Sequence, residues 1–131
     1  MIVIADSNIF YSALISPEGT TASILRERKR IQFVVPDYLI DEVNEHLLRI
    51  KNYLKEEKTI KQLSKDFKEL LRGIPVIPLD SLEKENLLKA QQIVKEVDKD
   101  DYPFIALYLE IKHKIWSGDK ELRKGLTAKG Y

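Results

Sequence analysis

Short apolar runs that alternate with helical stretches constrain this chain more than any other feature of it. Ile2–Ala5 is a continuous apolar run, and residues 32–35, 75–79 and 115–116 repeat the pattern further along. A run without polar alternation suits a strand buried on both faces, the habit of a parallel sheet. Parallel neighbours need crossovers long enough to hold a helix. The spacing therefore predicts an α/β fold with a central parallel sheet and helices on both faces.

The intervening segments supply the helices. Residues 9–15 are apolar and are broken by Ser16-Pro17-Glu18-Gly19, after which Thr20 or Thr21 is placed to cap a second helix. Pro36 stands where a helix start tolerates proline. Ile40, Val43, Leu47, Ile50 and Leu54 recur at steps of three and four and mark one buried face. Ile60, Leu63, Phe67, Leu70 and Leu71 mark a second such face, with Gly73 as its end cap. Asp80-Ser81 is expected to open a further helix with Leu87, Leu88, Val94 and Val97 inward, and residues 104–111 a very apolar one. The 131 residues fit one domain, expected to span 1–131, without repeat, linker or low-complexity tract.

Composition excludes several chemistries. There is no cysteine, so disulfides, thiolate metal sites and cysteine nucleophiles are out of reach. His46 and His113 are the only histidines, too few for a histidine-built zinc site. The net charge of +1 does not announce a nucleic-acid binder, although clustered Lys and Arg can still form a local patch. No run spans a membrane or resembles a signal peptide, so the expected location is the cytoplasm.

Four acids fall at one predicted edge. Asp6 directly follows the first strand and Asp119 closely follows the fourth. Asp101 begins the helix before that fourth strand, and Glu42 lies in the first turns of the helix after the second. Ligands of open parallel sheets bind beyond the carboxyl ends of the strands. Clustered carboxylates repel one another, and a divalent cation offsets that cost. Oxygen-only donors select a hard ion, Mg²⁺ or Mn²⁺. Such an ion activates water for attack on phosphorus, and a second ion roughly 3.5–4 Å away would cover the leaving oxygen. Each acid also has an ordinary structural role open to it. Asp6 and Asp101 suit helix caps, Glu42 a solvated first-turn carboxylate, and Asp119 a turn after Gly118.

The residues themselves resemble a known family. Ile2-Val-Ile-Ala-Asp6-Ser-Asn8, Asp41-Glu42-Val43, Asp101-Tyr-Pro-Phe-Ile-Ala-Leu107 and Trp116-Ser-Gly-Asp119-Lys-Glu-Leu122 are similar, in order and spacing, to the PIN domain. The resemblance implies a three-layer α/β/α sandwich with four to five short parallel strands, the last expected beyond Tyr131. It implies a Mg²⁺- or Mn²⁺-dependent endoribonuclease of the VapC toxin type, which commonly dimerises and is held by a small antitoxin. Carried over by motif, the catalytic and metal-binding acids are Asp6, Glu42, Asp101 and Asp119. Asn8 and Ser117 orient ligands or phosphate behind them. Asp98 and Asp100 compete with Asp101, which the register of Phe104-Ile105-Ala106 favours. Two other readings stay open: a structure-specific DNA nuclease, and a non-catalytic binding module.

Other residues carry weaker signals. Arg26, Arg28, Lys29 and Arg30 form a basic run read as lying beside the acidic edge, either a solvated face or a phosphate-gripping rim for RNA. Lys120 follows Asp119 and is either a phosphate contact or a surface lysine. Phe10, Tyr11 and Phe33 suit base stacking or packing. His46 lies one turn after Glu42 and is either a helper of the site or an ordinary surface histidine.

Overall fold

A computed structural model of the protein describes residues 2–27, 31–54, 58–94, 102–111 and 114–116. Its elements run β1 (Ile2–Ala5), α1 (Ser7–Ile15), α2 (Thr20–Leu25), β2 (Gln32–Pro36), α3 (Tyr38–Leu54) and α4 (Ile60–Leu71). They continue with β3 (Val76–Ile77), a 3₁₀ turn (Leu79–Ser81), α5 (Lys84–Val94), α6 (Tyr102–Ile111) and β4 (Lys114–Trp116).

The strands form one parallel sheet in the order β3-β2-β1-β4. β1 is central, and Val3, Ile4 and Ala5 are all buried, as a strand covered on both faces requires. α1 to α4 pack among themselves, while α5 packs along α6, which lies against β1, β2 and β4. The result is the expected α/β/α sandwich. On one face of the sheet, Phe33 and Trp116 stack with centroids 5.8 Å apart, bridging the strands on either side of β1. Beyond the sheet, Phe10 of α1 meets Phe67 of α4 edge to face at 5.7 Å, in the geometry aromatic quadrupoles favour.

Local chemistry sets the ends of these elements. Asp6, with extended backbone, caps α1: its Oδ1 accepts the Ile9 amide at 3.2 Å. Thr59 and Gln62 form a reciprocal capping box at the start of α4. Gly73 follows that helix with φ 81°, a left-handed conformation that glycine takes without cost.

Several expectations need correction. Pro36 ends β2 instead of opening a helix. Val35 and Asp37 donate to Pro75 and Ile77 on the β3 side. The missing N–H of Pro36 therefore falls on the other side, beyond the last register pair with β1, Ile4↔Val34. Gly19, not a threonine, caps α2, because a turn from Ser16 to Gly19 (2.9 Å) places Gly19 in extended backbone just before the helix. The third strand is confined to Val76–Ile77, since Leu79–Ser81 winds into the 3₁₀ turn. On α5, Leu88 faces solvent, while Ala90 and Ile93 are the buried residues; Val97 lies outside the described residues.

Arg26, the first residue of the basic run, is also placed differently. β2 begins at Gln32, which pairs with Ile2 at the amino end of β1. The chain therefore enters β2 at the edge opposite Asp6. Arg26 donates to the Pro17 carbonyl at 2.9 Å, close to the carboxyl end of α1. The structure does not bring Arg26 to the acids. Among the described residues, no helix is long and apolar enough to cross a membrane.

Candidate active site

The sheet order defines where a site can form. The chain steps outward from β1 to β2 and β3, then returns to the other side of β1 as β4. Crevices at such reversals, at the carboxyl ends of the strands, are where open α/β sheets bind ligands. Here the reversal lies between β1 and β4, and it is closed by the Asp6 amide donating to the Trp116 carbonyl at 3.2 Å.

Asp6 stands at this point. It is 2% exposed, and its Oδ2 is out of contact with solvent. Burying a carboxylate is costly unless the surroundings compensate it. The cap to Ile9 engages only Oδ1. Ser7, the next residue and also buried, is the first of α1.

Glu42 reaches the same place from 35 positions away. It lies near the start of α3, which packs along α1. Ser7 Oγ donates to Glu42 Oε1. The Tyr11 hydroxyl, one turn further along α1, donates to the Glu42 carbonyl at 3.5 Å. His46 Nδ1 lies 2.8 Å from that carbonyl, which can only accept, so Nδ1 carries a proton. The Tyr11 and His46 rings lie 5.3 Å apart at 34°. α1 and α3 are thus pinned together at Glu42 by both its side chain and its backbone.

The electrostatics agree with this placement. Burial raises the Tyr11 phenol well above its ordinary range, and the charge of Glu42 raises it further. A Ser7 hydrogen bond works the other way, while Tyr38 and then Asp6 add smaller upward pushes. Tyr11 therefore stays protonated and feels both carboxylates.

Of the residues the sequence singled out, the structure brings Glu42 to Ser7, the immediate neighbour of Asp6. Asn8 is exposed on the first turn of α1. Phe10 and Phe33 are core residues, unavailable for stacking on bases, whereas Tyr11 and His46 are half-buried against Glu42. Asp98, Asp100, Asp101, Ser117, Asp119, Lys120, Arg28, Lys29 and Arg30 lie outside the described residues. Asp101 immediately precedes α6, and Asp119 follows the last residue of β4 by three positions. Among the described residues no three acids or histidines form a metal-binding group. Asp6 and Glu42 nevertheless fit a hard cation, because the donors gathered there are carboxylate oxygens with no sulfur among them. Sequence reasoning missed Ser7; the available signal was a hydroxyl placed directly after a strand-end acid.

An α/β sandwich with an acid buried at its topological switch defines the class. The particular family follows from comparison: the PIN domain model matches residues 4–130, and the chain belongs to the PIN domain family. PIN domains are generally nucleases. No curated protein matches the sequence. A solved structure with a similar fold is the VapBC2 complex of Rickettsia felis bound to a DNA fragment from its promoter. It aligns with a TM-score of 0.72 at 12% identity, over 95% of this chain and 92% of that one.

Proposed function

We propose that this protein is a Mg²⁺- or Mn²⁺-dependent endoribonuclease, the toxin of a VapBC-type toxin–antitoxin pair. The observation that carries the proposal is Asp6: a carboxylate 2% exposed, at the switch point of a PIN fold, whose neighbour Ser7 hydrogen-bonds Glu42. Asp6, Glu42, Asp101 and Asp119 are the residues that would hold the ion. When bound, such an ion supplies an activated water and stabilises charge on the phosphate.

The chain's own residues do the rest. Asp6 is rigid, because its Oδ1 is already committed to the α1 cap and its backbone to β4. That rigidity fixes the orientation of the donor set before substrate arrives. Asn8, exposed on the first turn of α1, and Ser117, next after β4, orient the phosphate. Lys120 contacts it. Binding RNA from the open edge puts the phosphodiester against the carboxyl ends of β1 and β4.

The likeness to the VapBC2 fold supports a small antitoxin as partner. The family pattern supports a homodimer. The lack of cysteine is consistent with a cytoplasmic location.

The test is cleavage of RNA and of matched single-stranded DNA, with Mg²⁺ or Mn²⁺, by wild type and Asp6→Asn. The expected result is metal-dependent cleavage of RNA by wild type only. DNA cleavage alone would turn the reading to a DNA nuclease, and full activity of a clean Asp6→Asn preparation would overturn the mechanism. No cleavage of either polymer and no Mn²⁺ binding at millimolar concentration would leave a binding module.

A further inference from the structure

Glu42 is a flexible side chain on a different helix from Asp6, and it enters the site from the half-exposed side of α3. A long side chain such as glutamate loses rotamer freedom when it is fixed. In this protein something fixes it already. Ser7 Oγ donates to Glu42 Oε1 from a buried position, and Ser7 is the immediate neighbour of Asp6. The Tyr11 hydroxyl, one turn further along α1, donates to the Glu42 carbonyl.

We propose that Ser7 is the positioning residue of the site, holding the Glu42 carboxylate beside Asp6 so that both acids face a divalent cation already ordered. The inference rests on the metal-dependent reading above. Ser7 is too short to anchor α1 on α3 by itself; the larger side-chain contact there is Tyr11 against His46. Its hydroxyl matters for where one oxygen of Glu42 points. The bond to Ser7 fixes Oε1, and with it the plane of the whole carboxylate. Hydrogen-bond donors behind a metal ligand fix that ligand's orientation, and their loss typically costs about 10–100-fold in metal affinity.

Tyr11 belongs to the same arrangement one step further out. It reaches the backbone of Glu42, so its loss should loosen the helix contact more than it misdirects the carboxylate. Two hydroxyls on one face of α1 thus take different shares of one glutamate.

The test is Mn²⁺ affinity by isothermal titration on the full chain, for wild type, Ser7→Ala, Glu42→Gln and the double variant, with thermal unfolding of each metal-free protein alongside. Ser7→Ala should bind Mn²⁺ about tenfold more weakly, with little change in metal-free stability. The double variant should bind no more weakly than Glu42→Gln, because Ser7 acts through Glu42 and coupled residues are not additive. Ser7→Thr, which keeps the hydroxyl, should recover most of the lost affinity. Wild-type affinity in Ser7→Ala, full additivity with Glu42→Gln, or a Ser7→Thr loss equal to that of Ser7→Ala overturns the proposal. If wild type itself binds no Mn²⁺, the metal-dependent reading fails first and takes this inference with it.

Discussion

The two ends of α1 face opposite chemical problems. At its amino end, Asp6 and Glu42 are drawn to one place, and both raise the proton affinity of Tyr11. At its carboxyl end, a cavity of about 250 Å³ is floored by Ala13, Leu14 and Leu70 and rimmed by Arg26, Lys58 and Asp66. There an acid meets a base, with Lys58 Nζ 2.7 Å from Asp66 Oδ2. The rim pairs opposite charges near solvent; at the amino end a buried Asp6 and a half-buried Glu42 both act on Tyr11 with the same sign. Ordinary folding favours the first arrangement. The second persists because the turn from β1 into α1 places Asp6 where it must cap the helix, and because packing of α3 on α1 delivers Glu42. An arrangement that opposes its own electrostatics is where function is to be sought.

The largest way to break the contrast is to remove what holds both ends in register. Phe10 is fully buried in the middle of α1, against Phe67. Phe10→Ala should cost about 3–5 kcal/mol in chemical denaturation, and both ends should fail together. Asp6→Asn separates function from fold. Asparagine caps a helix as well as aspartate does, so stability should hold. Cleavage should nevertheless fall by more than about a hundredfold, beyond the usual effect of losing an outer partner.

Smaller changes sharpen the contrast at the other end. Lys58→Ala removes the described ion pair, whose side chains are 29% and 35% exposed. It should cost about 0–1 kcal/mol, screened further by salt, and should leave cleavage at the wild-type rate. The smallest effect concerns Tyr11. Its phenol is raised in the folded state, so the protein loses stability as pH climbs past the ordinary value of 10.0. Below that value the contribution is complete in wild type. Tyr11→Phe should flatten this alkaline fall in thermal unfolding and remove one late transition from a spectrophotometric titration.

The degree to which the site was legible varies residue by residue. Asp6 could be read directly, since a strand end, a cap and a switch point all fall on one residue. Glu42 could not be separated from an ordinary first-turn acid without the family pattern, because its partner Ser7 lies 35 positions away. The basic run that begins at Arg26 was expected beside the acidic edge, as a solvated face or a phosphate-gripping rim. The parallel register starts β2 at the far edge, and Arg26 itself donates to Pro17 near the carboxyl end of α1.

The fold divides in the same way. The alternation of apolar runs with helical periods determined by itself that the sheet is parallel and covered on both faces, because each strand's burial is written in its own residues. The capping of α1 by Asp6 and the close of α4 at Gly73 are equally local. Tertiary structure alone decided that Pro36 completes a strand, since a proline is tolerated there only where no neighbour needs its amide. It also decided that Leu88 faces solvent while Ala90 is buried, since the face α5 presents to α6 depends on how the two helices pack. Above all, it decided that Ser7 meets Glu42. A hydrogen bond between two helices has no signature in either one. It exists only once hydrophobic packing has brought their faces together.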